Sequence, residues 1–354
     1  MYNEEPLKYI VPCFHGDLAR GGKDVLVSRL KNLTSVLGAN KMNVSVSCDI
    51  FHDVHQEIAV KDNLIISGAA TFSPAKNRNI IVRECGANYI FIFDVDLLPT
   101  KETLNYALKK STQRHQSLQP EFDMLPCLYL TKEETERFDG DFQGCLESFL
   151  RGENHRVEGI ALASSCLLIN REWFLQLGGF DERFVGHGGE DLELIDRLTR
   201  HYPIGPRPDD YALNIKAQHP GDYQGFRRYF SYYALPHLFA GRFLVHQWHP
   251  RPLTHPYHRR RASNDAMLEQ MLANPGPLCG PVVQCDALGG VLPDFRSWII
   301  SQQEAAGYPL ADYPGLMRWA DGVSVKRPFW RKLRKFYINP RLFLKDMLKN
   351  KLKN

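Results

Sequence analysis

The chain predicts an α/β fold with a mostly parallel central sheet flanked by helices, wound in the Rossmann manner. Three observations predict it. Strand-length apolar runs alternate with segments of helical spacing over the first hundred residues. The run from Tyr89 to Phe93 is almost continuously apolar, as a strand buried on both faces requires. The acidic pair Asp94-Val95-Asp96 follows that run directly, at the strand end where open α/β sheets bind their ligands.

Leu7 to Phe14 reads as the first strand, with Pro12 near its carboxyl end. Leu26, Leu30, Leu33 and Leu37 give Asp24 to Leu37 the spacing of a helix with one apolar face. Val44, Val46, Cys48 and Ile50 alternate, so Asn43 to Ile50 reads as a second strand. A loop from Ser73 to Arg78 leads into a helix over Asn79 to Cys85, and the Tyr89–Phe93 strand follows. Thr103 to Thr112 reads as a helix, Met124 to Leu130 and Ala161 to Ile169 as strands, and Arg171 to Leu177 and Leu192 to Arg200 as helices. Residues 205 to 235, rich in Pro, Asp, Tyr and Phe, read as a long loop with some helix, and a helix is expected near Phe295 to Ala306.

The 354 residues are 44% apolar and 24% charged, which is ordinary for a globular protein. No stretch has the roughly 18 uninterrupted apolar residues of a spanning helix, and the start lacks the basic and apolar regions of a secretory signal. The eight cysteines are scattered without a CxxC pair, which suits reduced, buried thiols in a cytosolic protein. The net charge of +4 conceals an asymmetry. Residues 326–354 hold 11 basic side chains and one acid, and the remainder holds 33 basic and 39 acidic ones. A mildly acidic body excludes a uniform nucleic-acid-binding surface.

Asp94 and Asp96 point to a divalent cation. Residues two apart on an extended chain share a side, and Mn²⁺ and Mg²⁺ take carboxylate and phosphate oxygens. A second Asp-x-Asp, Asp139-Gly140-Asp141, follows the charged run Lys132 to Arg137 and reads as a surface turn. Apolar residues precede His246-Gln247-Trp248-His249, a pair from which one or both imidazoles can complete a carboxylate site. A similar pair, His52 and His55, reads as solvated surface. Arg78 is placed either to meet a phosphate or nucleobase edge or to form a surface ion pair. Asp49, at the end of the second strand, either accepts from uracil or ribose or caps a turn.

Gly188-Gly189-Glu190-Asp191 precedes a helical pattern, Leu192, Leu194, Ile195 and Leu198. Both acids therefore fall in a first helical turn, where the helix dipole favours the ionised carboxylate, and the glycines let a ligand approach the backbone. A carboxylate so placed is suited to general-base work or, more simply, to capping the helix.

With these residues in view, a resemblance is clear. Phe-Ile-Phe-Asp94-Val-Asp96-Leu-Leu-Pro is similar to the Asp-Val-Asp-Leu-Ile-Pro segment of the β-1,4-galactosyltransferase family. The segment from Ser164-Ser165-Cys166 through Gly178-Gly179-Phe180 to Gly188-Gly189-Glu190-Asp191 resembles that family's C-terminal motif. The same block occurs in bacterial capsule polymerases of the chondroitin-synthase type and in family 2 glycosyltransferases. The resemblance runs from about residue 7 to 262. It implies a GT-A fold, a UDP-sugar donor (Gal or GalNAc favoured), Mn²⁺ or Mg²⁺, and inversion at the anomeric carbon. Carried over by position, Asp96 and either or both of His246 and His249 would hold the metal. Asp94 would lie near the ribose or metal, Asp191 would be the general base, and Glu190 would hold sugar hydroxyls. Pro12, Asp49, Arg78, Gly188 and Gly189 fall on the nucleotide-sugar side. His187 stands where the galactosyltransferases have a tryptophan, and Leu192 and Glu193 replace further acids. These departures leave the sugar open.

The expected organisation is a GT-A domain over 1–262 (nucleotide-binding half about 1–100, acceptor half about 101–262), an extension over 263–325 and a basic amphipathic tail over 326–354. In the tail Phe329, Trp330, Leu333, Phe336 and Tyr337 recur among lysines and arginines, and Leu344, Leu348 and Leu352 continue the line. Such a helix fits an anionic bilayer surface, the body of the protein, or a partner. The expectation is a transferase extending a capsular or other surface polysaccharide on the cytoplasmic face of the inner membrane. A non-catalytic, membrane-docked scaffold is the alternative.

Overall fold

The computed structural model describes residues 5–14, 22–38, 41–47, 64–67, 73–112, 120–215, 217–249, 257, 260–278, 280–283, 288, 290–324, 336–337 and 340. The chain order begins β1 (Glu5–Phe14), α1 (Gly22–Leu37), β2 (Met42–Ser47), β3 (Leu64–Ser67), α2 (Pro74–Glu84), β4 (Ala87–Ile92) and β5 (Leu97–Pro99). It continues α3 (Lys101–Thr112), β6 (Phe122–Met124), β7 (Cys127–Leu130), α4 (Lys132–Arg137), α5 (Phe142–Leu150), β8 (Val157–Ala161), β9 (Leu167–Asn170) and α6 (Arg171–Gln176). It ends α7 (Glu190–His201), α8 (Gly225–Phe239), β10 (Leu244–His246), α9 (Arg261–Ala273) and α10 (Phe295–Ala305). All of these lie in one compact unit, Met1–Ala320, and Asp321–Asn354 forms a second. Among the described residues no helix is long and apolar enough to cross a membrane.

The main sheet has six strands in the order β3-β2-β1-β4-β9-β6. β1 pairs in parallel with β2 and β4, and β2 with β3, while β9 runs antiparallel to both β4 and β6. The chain winds outward from β1 to β2 and β3, then crosses to β4 on the other side. This reversal between β1 and β4 is the place where open α/β sheets form a ligand crevice. The mostly parallel sheet is therefore present, with β9 as the exception.

A second sheet, β5-β10-β7-β8, is not in the expected pattern. The sequence reads Met124 to Leu130 and Ala161 to Ile169 as one strand each, and the structure corrects both. The first divides at Leu125-Pro126, and its halves, β6 and β7, join different sheets. Pro126 has no N–H for a continuing ladder. The second divides over residues 162–166 into β8 and β9, again one per sheet. Breaks as short as Leu125-Pro126 and residues 162–166 do not by themselves announce a change of sheet.

One helical reading also changes, and helices appear where none was read. Residues 73–78 are not a loop: α2 starts at Pro74, and the Ser73 hydroxyl caps it by accepting from Lys76 N at 3.3 Å. A serine cap with proline at the first helical position is a standard helix start. The charged run at 132–137 is helix α4, capped by Thr131. The long loop with some helix expected over 205–235 does carry the start of α8, and α9 adds a helix beyond residue 260. Cys85, Cys127, Cys145 and Cys166 are buried free thiols. Asp49, His52, His55 and most of the 326–354 tail lie outside the described residues.

Two apolar clusters fill the two faces of the main sheet. One holds Ile10, Ile90 and Ile92 with Leu194, Ile195 and Leu198 of α7. The other holds Tyr9, Val11, Phe91 and Phe93 with Leu26, Leu30 and Leu33 of α1. Alternate residues of one strand thus serve opposite faces, as a two-sided buried strand must. Each fully buried large side chain contributes about 1.5–3 kcal/mol. This packing fixes the end of β4, where Asp94 begins.

Candidate functional site

Past β4 the chain turns, with Leu97 N donating to Asp94 O at 3.0 Å. β5 then pairs antiparallel with β10, setting Leu97 opposite His246. Gln247 N donates to Asp96 O at 2.8 Å, which fastens the histidine segment to the acidic turn. As a result Asp96, His246 and His249 converge, with one ligand atom from each all within 4.8 Å of one another. His249 Nε2 is 3.2 Å and His246 Nε2 3.6 Å from Asp96 Oδ2. Asp96 and His249 are buried, and His246 is nearly so.

This group is supported from outside. Arg29 of α1 donates to Trp248 O at 3.2 Å and stands 3.8 Å from Asp96 Oδ2. Thr135 Oγ1 of α4 accepts from Trp248 N at 2.8 Å. Both therefore hold the residue that precedes His249. The Tyr129 ring lies 4.9 Å from that of His246. One carboxylate and two imidazoles form a donor set able to ligate a divalent metal ion.

Asp94 belongs to a second cluster, built around Arg78. The Arg78 guanidinium donates to Asp94 Oδ1 at 2.8 Å, Asp191 Oδ1 at 3.0 Å and Glu190 Oε1 at 3.2 Å. Ser165 Oγ donates to Asp94 Oδ2 at 3.2 Å. The Arg78 side chain is only 2% exposed. The surface ion-pair reading of Arg78 is thereby corrected: it is a buried cross-link between the β4 turn and the start of α7. Its fork also meets carboxylates of the chain itself where the sequence suggests a phosphate or nucleobase. Helix α2 starts a turn earlier than expected, and this aims position 78 inward. Burial alone would lower the Arg78 pKa, but Asp94, Asp191 and Glu190 outweigh it and keep the guanidinium charged.

The three carboxylates differ in environment. Glu190 is buried, and that burial, reinforced by the neighbouring Asp191 charge, pushes its carboxyl well above the usual range against the pull of Arg78. Asp191 is 22% exposed and Asp94 36%, so both are reachable from solvent. Gly189 stands at the N-cap of α7 with φ of 106° and no side-chain cap, leaving Glu190 and Asp191 to serve the first turn. A β-carbon at Gly189 would fall 2.5 Å from the Phe184 ring, and one at Gly188 still closer to the Arg261 guanidinium. Gly189 requires glycine for space as well as for backbone angle, and Gly188 for its φ of 88°.

Asn79 secures the preceding loop. Its amide donates to Phe180 O at 2.9 Å and to Glu182 at 3.0 Å, while its Oδ1 accepts from Phe180 N at 2.9 Å. Arg197 donates to Leu177 O and Gly179 O, both at 2.7 Å. Sequence reasoning misses Arg29, Asn79, Thr135 and Ser165. Ser165, inside the motif block, and Asn79, beside Arg78, are legible as polar residues at a turn and a helix. Nothing local marks Arg29 or Thr135. Pro12 is buried in β1, whose register sets it opposite Ser45.

The family described as glycosyltransferase like family 2 matches residues 42–274. No curated protein matches the chain. The catalytic domain of Drosophila beta-1,4-galactosyltransferase 7 in complex with xylobiose is similar at 18% identity, over 54% of this chain and 59% of that one, with a TM-score of 0.28. A mutant of the same enzyme, in complex with manganese, UDP-Gal and xylobiose, is similar at 18% identity over 53% and 60%, with a TM-score of 0.27. The chain thus spans 59% and 60% of the length of those two structures. The α/β architecture, with its acidic turn after a central strand, is the GT-A arrangement that the matched family implies. The match covers well over half of the sequence, and the chain belongs to the glycosyltransferase-like family 2.

Proposed function

We propose that this protein is an inverting, metal-dependent glycosyltransferase that moves a hexose, Gal or GalNAc, from a UDP-sugar to a growing capsular or other surface polysaccharide. The observation that carries the reading is the pairing of two groups on one turn: Asp96 with His246 and His249, and Asp94 with Arg78, Glu190 and Asp191. Membership of a glycosyltransferase family supports it.

Asp96, His246 and His249 would hold Mn²⁺, which when bound supplies positive charge against a departing diphosphate. Asp191, reachable from solvent at the start of α7, accepts the proton of the acceptor hydroxyl as that oxygen attacks the anomeric carbon. The bond from that carbon to the diphosphate oxygen breaks on the opposite face, so an α-linked donor gives a β-glycoside. Arg78 holds the Asp191 carboxylate in place. Glu190, buried beside Asp191 and held by Arg78, holds sugar hydroxyls.

The test is UDP release by the purified chain from a panel of UDP-sugars, with Mn²⁺, Mg²⁺ or chelator. Activity should follow Mn²⁺. Asp96→Ala should weaken Mn²⁺-dependent UDP binding on the order of 100-fold, by analogy with the cost of lesser changes around metal sites. No turnover of any donor with any metal would defeat the reading, as would full Mn²⁺-dependent binding in Asp96→Ala.

The tail over 326–354 is proposed to seat the enzyme on an anionic membrane surface, since clustered lysines and arginines contribute about 1 kcal/mol each there. A chain ending at residue 325 should no longer sediment with anionic vesicles while keeping most of its soluble activity. Unchanged sedimentation would rule the tail out as the anchor.

A further inference from the structure

The loop that leads into the α7 carboxylates is held from a segment to which the sequence assigns no role, the extension beginning at residue 263. Helix α9 buries Asn264, Leu268 and Leu272, each four residues from the next and therefore on one face. The two leucines share an apolar cluster with Leu192, Leu194, Ile195 and Leu198 of α7. Asn264 stands on the same stripe and is only 4% exposed. A leucine would continue the stripe at lower cost, since a buried amide needs partners to offset its lost hydration.

The partners of this amide are two backbone carbonyls of one loop. Asn264 Nδ2 donates to Val185 O at 3.2 Å and to His187 O at 3.3 Å. Other anchors hold the same loop. His187 N donates to Tyr257 O at 2.9 Å, and the Ser73 hydroxyl that caps α2 donates to Phe184 O at 3.4 Å. A β-carbon on Gly189 would lie 3.5 Å from Cβ of Asn264, so α9 meets the loop where α7 starts. Gly186, Gly188 and Gly189 give this turn little conformational preference of its own, and the bonds made to it set its shape. The next two residues are Glu190 and Asp191.

We propose that Asn264 is a positioning residue for the transfer reaction. By holding the carbonyls of Val185 and His187 it fixes the glycine turn, and through that turn the place of Asp191 and Glu190 beside Arg78. This rests on the transferase reading of the adjoining site. Among the described residues the Asn264 side chain makes no hydrogen bond to the Arg78 cluster or to the histidine group. Its effect therefore reaches the base through the loop and spares donor binding at Asp96, His246 and His249.

Asn264→Leu roughly keeps the volume and the apolar stripe while deleting the donor, and Asn264→Ala is the second variant in case leucine crowds Gly189. Two measurements are made on the full-length chain. The first is amide hydrogen exchange without donor or metal. Peptides covering 185–193 should exchange roughly tenfold faster in either variant, the scale of one lost hydrogen bond, while peptides of β4 keep their protection. The second is UDP release with Mn²⁺ and a UDP-sugar that the unmodified chain turns over. There kcat should fall about 10–100-fold, the scale of a reacting group misplaced by about 1 Å, with the KM for the donor unchanged. A purely structural amide predicts a lower melting temperature and an unchanged kcat in the folded variant, and that result overturns the proposal. Unchanged exchange over 185–193 overturns it too, as does a loss of kcat matched by an equal loss of donor affinity. If the unmodified chain releases UDP from no donor, the transferase reading fails and the positioning role with it, while faster exchange in the variants would still identify Asn264 as the residue that orders the turn.

Discussion

Arg78→Met should destabilise the chain by about 3–5 kcal/mol, the usual cost of removing one partner from a buried ion network. The change keeps most of the apolar stem and deletes only the guanidinium. Asp94, Asp191 and Glu190 would then face one another without a countercharge, in a place where Glu190 is already pushed above the normal range. The penalty should depend on pH. With the cation gone, the folded pKa of Glu190 rises further above its unfolded value. A carboxyl raised in this way weakens the fold above its unfolded pKa and ceases to do so as falling pH protonates it in both states. Wild-type Glu190 is itself raised, so the added deficit from this group should open only above its wild-type folded pKa and vanish as pH falls below it. Arg78→Lys should fall between, since one ammonium cannot span three carboxylates with a planar fork. Chemical unfolding of the three proteins at several pH values checks this. A small, pH-independent deficit in Arg78→Met would mean that the cluster does not hold the β4 turn to α7.

Arg78 also shows how far sequence can be read. The strand before Asp94 is legible because a two-faced buried strand writes its burial into nearly every residue. The α7 start is legible because the glycines and acids are local signals. Asp96, His246 and His249 are each visible as ligand types, but their convergence depends on β10 pairing with β5, a contact between segments almost 150 residues apart. The reach of Arg78 is hidden for a smaller reason. Taking 73–78 as loop moves the start of α2, and a shift of a few residues turns a side chain to another face. Ser73-Pro74 holds the needed signal. The second sheet is hidden more deeply: only Leu125-Pro126 separates β6 from β7 and a short segment with Ser164-Ser165 separates β8 from β9, and neither break says that the halves join different sheets. Arg29 and Thr135 grip the backbone of Trp248 from distant helices, and no local pattern announces such contacts.

Asp191→Asn should cost about 10²–10⁴ in kcat, the range for loss of a positioned general base, while donor binding and the fold persist. The side chain keeps its shape, so the introduced amide can still accept from Arg78 through its oxygen. Asp94 and Glu190 remain to balance the guanidinium. Removing one carboxylate also lessens the repulsion that lifts the Glu190 pKa, so the melting temperature should hold or rise slightly near neutrality. The metal group is untouched, because Asp96, His246 and His249 make a separate set. This combination separates a base from a structural acid. A structural role predicts loss of stability in proportion to loss of activity, whereas a base predicts loss of transfer alone. A variant that transfers sugar at the original rate, with UDP and Mn²⁺ binding unchanged, would remove Asp191 from the mechanism and shift attention to Asp94, the other solvent-reachable carboxylate on Arg78.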